Sequence, residues 1–403
     1  MDDKFVILVG DGMGDYPNDR LGGLTPLEAA QTPNLDRLAG IGQMGTVLTV
    51  PKGMDPGSDV ANMSLLGYDP AIYHTGRGPL EAASMGVQLH PDDVAFRCNI
   101  VFLDEDGSGR VLMGDYSAGH ISTAEANELV SALQGAVSET PLKLYPGVSY
   151  RHLLVWRGGP DRLKMTPPHD ITGMAIAPYD AVASEPVLHS FATAAARILK
   201  DHPVNIRRKS EGKKPANAVW PWGQGKAPSM PKLRDRFGVE GAMISAVDLL
   251  KGIGVYAGLE PIDVPGATGY LDTNFDGKVA AALSALEKGN FVFLHLEAPD
   301  EASHEGSLEK KLEAIQKFDE RIVGPMLEGL RKYPSVKVLV SPDHYTPISK
   351  RTHSTDPVPF IMAKLVSGSI AAGSGRKYSE REAGATGLQL GSGVELFRAF
   401  MEM

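Results

Sequence analysis

The chain has one cysteine, Cys98, among 403 residues. An intramolecular disulfide is therefore impossible, and zinc sites built on several thiolates are excluded. Basic residues are in the minority: 40 Lys and Arg against 49 Asp and Glu give a formal net charge of −9. That balance argues against non-specific nucleic-acid binding. It does not argue against a small anionic substrate, because a local metal cluster overrides the global sign. No apolar run is long enough to span a bilayer, and Met1-Asp2-Asp3-Lys4 carries no basic leader, so a cytoplasmic protein with no membrane partner is expected. There is no Gly-x-x-x-x-Gly-Lys-[Ser/Thr] loop to cradle a nucleotide, and no Gly-x-Ser-x-Gly elbow for acyl transfer. Internal repeats and low-complexity segments are absent.

What remains is ordinary for a globular protein, 42% hydrophobic and 22% charged, and the length exceeds what one core usually serves. Phe5-Val6-Ile7-Leu8-Val9 is a short apolar run ended by glycines, as in a buried parallel strand. Phe291–Leu296, Val336–Val340 and Val358–Met362 read the same way. Thr25-Pro26 opens a helix, with Glu28 at the capping-box position. Leu308 to Lys332 carries Leu312, Ile315, Phe318, Ile322 and Met326 at helical spacing, with a kink or a split expected at Gly324-Pro325. This alternation of strand and helix is an α/β signature.

Candidate metal ligands follow these strands. Asp11 sits in Gly10-Asp11-Gly12-Met13-Gly14-Asp15. The spacing is wrong for a dinucleotide fingerprint, and a carboxylate there would repel pyrophosphate. Asp300 and His304 are spaced i, i+4, which puts both on one helical face. Asp343-His344 lies between Pro342 and Pro347, in a setting that suits an irregular loop, and His353 follows. Each has a plain alternative: a turn cap, a solvated loop residue or a structural histidine. Three Asp, three His and Ser58, in Pro56-Gly57-Ser58-Asp59, together match a two-metal phosphoryl-transfer site. Alone, Ser58 reads as the N-cap of a helix over Val60–Leu66. His295 and Glu297 are either neighbours that support the ligands or plain strand-end residues.

The ligands are widely separated in sequence, and residues 73–236 contain their own strand and helix patterns, such as Tyr150–Trp156 and Val187–Leu199. Two domains are expected: a discontinuous one over 1–72 and 237–403, and an insert over 73–236. Within the insert, His169-Asp170 follows two prolines and reads equally as a general acid/base pair or as a turn. Val204 to Pro231, with Arg207, Arg208, Lys209, Lys213 and Lys214, reads as a long basic loop.

Taken together, the chain resembles the cofactor-independent phosphoglycerate mutases of the archaeal type, in the alkaline phosphatase superfamily. The matching segments are Gly10-Asp11-Gly12-Met13, Pro56-Gly57-Ser58-Asp59, Leu65-Leu66-Gly67-Tyr68-Asp69-Pro70 and Thr75-Gly76-Arg77-Gly78-Pro79-Leu80-Glu81-Ala82. They continue through Phe96-Arg97-Cys98-Asn99, Pro168-His169-Asp170, Pro215-Ala216-Asn217, Gly266-Ala267-Thr268-Gly269, Glu297-Ala298-Pro299-Asp300 and Ser341-Pro342-Asp343-His344. The resemblance covers nearly the whole chain. It implies an alkaline-phosphatase-like α/β fold: a parallel-rich sheet flanked by helices, with an inserted second α/β domain for phosphotransfer and substrate.

The resemblance also implies site residues. Asp300, His304 and His353 would hold one divalent ion, and Asp11, Ser58, Asp343 and His344 the other. Manganese is the first expectation, with zinc, cobalt or magnesium as alternatives. Ser58 would carry a transient phosphoserine while 3-phosphoglycerate and 2-phosphoglycerate interconvert. Lys251 would steady the phosphate, His169 and Asp170 would serve catalysis, and Arg77, Arg207 and Asn217 would bind the small phosphorylated substrate. Two departures point elsewhere. Ser117-Ala118-Gly119-His120 places an imidazole where an Arg is usual, and Trp222-Gly223-Gln224-Gly225 replaces an Arg-Gly-x-Gly. Fewer arginines suit a doubly anionic glycerate less well. With Asp59-Val60-Ala61-Asn62, the pattern is similar to a bacterial subgroup proposed as homoserine kinases, which is the alternative. A phosphatase or sulfatase would share the core but leave the insert without a task. A non-catalytic metal module would have no need of the Ser58 hydroxyl.

Overall fold

The strand Lys4–Gly10 lies inside an eight-stranded sheet, which is why its apolar residues run on without alternation: Val6 to Val9 are all fully buried. Across the sheet the order is Gln389–Leu390, Gln43–Val47, Val358–Val366, Ser335–Ser341, Lys4–Gly10, Phe291–Leu296, Gly241–Ile244 and Glu260–Ile262. Among the described residues, only Val358–Val366 runs against its neighbours. The computed structural model describes residues 3–366 and 375–403. Contacts divide the chain into two units, Met1–His74 with Ser229–Met403, and Thr75–Pro228.

In the first unit, Val6, Leu8, Val292, Leu294, Val338 and Val340 pack against helical residues such as Val279, Ile315, Phe318 and Met326. The stretch is split at Gly324-Pro325, as expected. Leu308–Lys317 passes through a wider π-helical turn, Phe318–Val323, and Pro325 sits in the first turn of the segment Gly324–Leu330, where no N–H is needed. The wide turn has a task. Asp319 accepts from the Leu35 amide at 2.7 Å and the Asn34 amide at 3.2 Å. It thereby caps the helix Pro33–Ile41, whose own N-cap Thr32 makes no side-chain bond.

The second unit is built on an antiparallel sheet. Its long strand Asp93–Glu105 pairs with Val111–Asp115, Arg151–Arg157 and Ala218–Gly225, and Leu142–Tyr145 closes one edge. Val94, Phe96, Cys98 and Ile100 pack against Leu129, Leu133, Leu188 and Phe191 of the helices Thr123–Val137 and Pro186–Lys200. The stretch read as a long basic loop is ordered structure. Pro203–Ser210 is a helix with Pro at its first turn, and Ala218–Gly225 is a strand. Pro221 is tolerated there because the strand pairs only with Asp93–Glu105. No helix among the described residues is long and apolar enough to cross a membrane.

Candidate metal centre

Three adjacent parallel strands deliver the ligand candidates at their carboxyl ends, where open α/β sheets place their sites. Asp11 follows Lys4–Gly10, and its amide bonds to the Leu296 carbonyl at 2.9 Å. Asp300 and His304 lie on the short helix Ala298–His304 after Phe291–Leu296. Asp343 and His344 follow Ser335–Ser341, and His353 lies on the loop that closes through the Tyr345–Ser354 bridge. Ser58 is the first residue of the helix Ser58–Leu65, with Gly57 as the N-cap, so the plain reading of Ser58 as the cap itself does not hold.

All seven candidates meet. Ser58 Oγ lies 3.3 Å from Asp11 Oδ2 and 3.2 Å from His344 Nε2. His344 Nε2 is 3.4 Å from Asp11 Oδ1 and 3.5 Å from Asp343 Oδ2. His304 Nε2 is 3.0 Å from Asp300 Oδ2 and 3.1 Å from His353 Nε2. Within each of the groups Asp300–His304–His353, Asp11–Asp300–His344 and Asp11–His295–Asp343, one donor atom per residue lies within 4.8 Å of the others.

The surroundings orient these donors. His304 Nδ1 lies 3.0 Å from the Arg351 carbonyl, His353 Nδ1 lies 3.2 Å from the Pro56 carbonyl, and His344 Nδ1 lies 3.2 Å from Thr346 Oγ1. Thr346 donates its own proton to Asp300 Oδ1, so it accepts from His344. Each ring thus donates from Nδ1 and turns its Nε2 into the cluster, as metal-bound histidines do. Arg351 aims its carbonyl from a left-handed backbone, φ 54°, a conformation that costs about 1–2 kcal/mol outside glycine. Asp343 is held by the amides of Gly12 and His344 at 3.1 and 2.9 Å and by Asn62 Nδ2 at 2.8 Å. Gly12 has to be glycine: φ is +61°, and a Cβ would sit 2.7 Å from Asp300 Oδ1.

The charge pattern calls for cations. Burial and the nearby Asp343, Asp300 and Glu297 carboxylates push the Asp11 carboxyl well above its usual range, and Asp11 Oδ1 is buried without a hydrogen-bond partner. Burial alone would raise Asp300, but its bonds to His304 and His353 hold it well below the usual range. The Asp300 bond raises His304 to about 9 against the burial penalty, and it raises His353 despite burial. Facing ring nitrogens, an orphaned carboxylate oxygen and a mixed carboxylate–imidazole donor set fit divalent metal ions.

The remaining expectations fare unevenly. Lys251 Nζ pairs with Asp263 at 2.6 Å and Asp248 at 3.5 Å, and none of these partners is a ligand candidate. Asn217 does not offer a free amide. Its Oδ1 accepts from the Leu103 amide and its Nδ2 donates to the Leu103 carbonyl, both at 2.7 Å, so it extends the strand ladder beyond Ala218. Arg207 is half-exposed, 3.9 Å from Glu125, while its neighbour Arg208 is buried against Glu125 and two carbonyls. His169 and Asp170 stay together, 3.5 Å apart, on the 3-10 turn Pro168–Ile171.

Sequence reasoning passed over two arginines. Arg97 lies over the Trp222 ring, 4.4 Å from its centroid, and pairs with Glu81 at 2.8 Å. Arg77 and Arg151 are close enough to depress its basicity further, after burial. His169 packs edge-on against Trp222, and Arg77 and Arg97 act on it electrostatically. The Trp that replaces an expected arginine therefore carries another arginine on its face. Phe96-Arg97-Cys98-Asn99 was the available signal. Asn62, which holds Asp343, was marked only as part of Asp59-Val60-Ala61-Asn62, and Thr346, which holds Asp300, had no signal of its own.

A family model described as 2,3-bisphosphoglycerate-independent phosphoglycerate mutase matches residues 39–205. A probable 2,3-bisphosphoglycerate-independent phosphoglycerate mutase of Geobacter sulfurreducens is 50% identical over 99% of this chain and 100% of its own. The Methanosarcina barkeri mutase is 53% identical over 89% of this chain and 90% of its own. Among solved structures, a Pyrococcus horikoshii protein matches with a TM-score of 0.81 and 31% identity, over 100% of this chain and 98% of that one. The cofactor-independent phosphoglycerate mutase of Thermoplasma acidophilum matches with a TM-score of 0.65 and 26% identity, over 100% and 99%.

Proposed function

Because the chain belongs to the 2,3-bisphosphoglycerate-independent phosphoglycerate mutases, we propose that it interconverts 3-phosphoglycerate and 2-phosphoglycerate through a phosphoserine on Ser58. The observation that carries this reading is the placement of Ser58 Oγ. It sits between Asp11 and His344, on the first residue of a helix whose leading amides lack intrahelical partners. Such a helix end favours a phosphoryl group.

Two divalent cations, manganese first among them for this donor set, would be held by Asp300, His304 and His353 and by Asp11, Ser58, Asp343 and His344. When bound they neutralise the crowded carboxylates and phosphoryl oxygens and ease loss of the Ser58 proton. Ser58 Oγ attacks phosphorus, the bond from phosphorus to the C3 oxygen breaks, and that oxygen takes up a proton. The 2-hydroxyl of the glycerate then loses its proton and attacks the phosphoserine, which returns Ser58 to its free form. His169 suits the proton traffic. Burial, with Arg77 and Arg97, lowers its pKa more than Asp170 raises it, so the ring is neutral near pH 7. Arg77, Arg97 and Arg151 offer the cationic surface that the glycerate's carboxylate needs.

The test is a side-by-side assay of the metal-loaded protein. We expect 2-phosphoglycerate from 3-phosphoglycerate with no nucleotide present. Phosphohomoserine from homoserine and ATP, with no mutase turnover, would overturn the reading in favour of the kinase alternative.

A further inference from the structure

We infer that His295 is a further protein ligand of the cation held by Asp11 and Asp343, an inference that rests on the two-cation reading above. His295 lies in the apolar run Phe291–Leu296, where a histidine is out of place unless something uses it. Its side chain is fully buried. In the parallel register Val9 pairs with His295 and Gly10 with Leu296, which puts the ring beside Asp11. His295 Nε2 lies 3.0 Å from Asp11 Oδ2, yet among the described residues that atom makes no hydrogen bond. A buried nitrogen close to a carboxylate oxygen but not aimed at it fits two donors that converge on a third body.

The opposite side of the ring supports this. His295 Nδ1 is 3.3 Å from Ser245 Oγ, which already accepts from the Val247 amide at 3.0 Å. His304, His344 and His353 show the same arrangement, with Nδ1 toward an oxygen and Nε2 toward the cluster. Lys278, itself buried, donates to the His295 carbonyl at 3.0 Å and fixes the strand end. With Asp11, Ser58, Asp343 and His344, His295 would bring the protein donors of this cation to five. Five donors favour an ion comfortable with five or six ligands, such as manganese or cobalt, over tetrahedral zinc.

The experiment titrates metal-free protein with Mn2+ and with Co2+ by calorimetry, comparing wild type, His295→Asn, His295→Ala and His304→Ala. Wild type is expected to bind two ions. His295→Asn and His295→Ala should each weaken one site by on the order of 100-fold and shift the visible cobalt spectrum. His304→Ala should weaken the other site. In wild type alone, spin-echo modulation of bound Mn2+ with 15N-labelled histidine should show two directly bound imidazoles at the Ser58 site, a count that does not depend on the variants folding. One imidazole at that site would overturn the inference. So would wild-type affinity in His295→Asn, because the amide would then replace the ring merely as a hydrogen-bond donor to Asp11. Failure of wild type to bind any cation would instead sink the two-cation reading itself.

Discussion

Cation binding at Asp300, His304 and His353 should release a proton, and the geometry says how many. His304 titrates near 9 because Asp300 bonds to its ring, so in metal-free protein it keeps a proton through neutrality. His353 is also raised, but its Nε2 lies only 3.1 Å from that of His304. Two N–H groups pointed at each other across that distance repel, so the pair holds one proton rather than two. A cation must displace it. Apparent affinity at this site should therefore rise about tenfold per pH unit up to about pH 9 and level off above. At pH 7, two units lower, the penalty is at most about 100-fold. Solvent screening of the partly exposed His304 ring reduces it, which gives about 10- to 100-fold, or about 1.4–2.7 kcal/mol. Calorimetric titration with Mn2+ at pH 7, in buffers of different ionisation enthalpy, reads the proton count directly. No proton released, or a flat affinity from pH 6 to 9, would refute the argument.

Ser58→Ala should lower turnover by several orders of magnitude and leave Mn2+ content near wild type by elemental analysis, since the carboxylates and imidazoles remain. Arg97→Lys keeps the charge but loses the planar fork stacked on Trp222. It should raise KM for 3-phosphoglycerate about 10- to 100-fold in steady-state assays, the size of one lost charged hydrogen bond. Lys311 is fully buried and donates to Asp15 at 2.8 Å and to the Gly14 and Thr346 carbonyls at 3.2 and 3.0 Å. Lys311→Met leaves Asp15 uncompensated and should cost about 3–5 kcal/mol in urea unfolding, with part of the loss recovered by adding Asp15→Asn.

Asp11, Asp300, His304, Asp343 and His344 were legible because they follow apolar runs that read as buried strands, and the carboxyl ends of such strands are where sites form; Ser58 was legible only through its motif. His353 lay beyond that rule and was readable only in company with Asp300 and His304. The contacts that aim the ligands were not legible. Thr346 and Asn62 act through neighbours far away in sequence, and nothing local marks that role. The helix and strand after Pro203 were hidden by a polar, glycine- and proline-rich composition that mimics a loop. Pairing with Asp93–Glu105 overrides that local preference. The break at Gly324-Pro325 was legible from the proline, but the π-helical turn at Phe318 was not, because helical spacing is insensitive to one added residue.

The strand Lys4–Gly10 also sets a timetable. It leaves the ribosome well ahead of both its sheet neighbours, Phe291–Leu296 and Ser335–Ser341. Gly12 and Asp343 bond across 331 residues of chain. At ~5–20 residues per second of synthesis, that interval is roughly 20–60 s, during which an apolar strand waits with at least one edge open. The unit Thr75–Pro228 has its sheet partners within its own span and can condense while the rest is still being made. Closure of the eight-stranded sheet, and with it the meeting of Asp11 with His344, is then the last event of folding. A nascent chain stalled before residue 335 should therefore carry a finished insert beside an unfinished, aggregation-prone sheet.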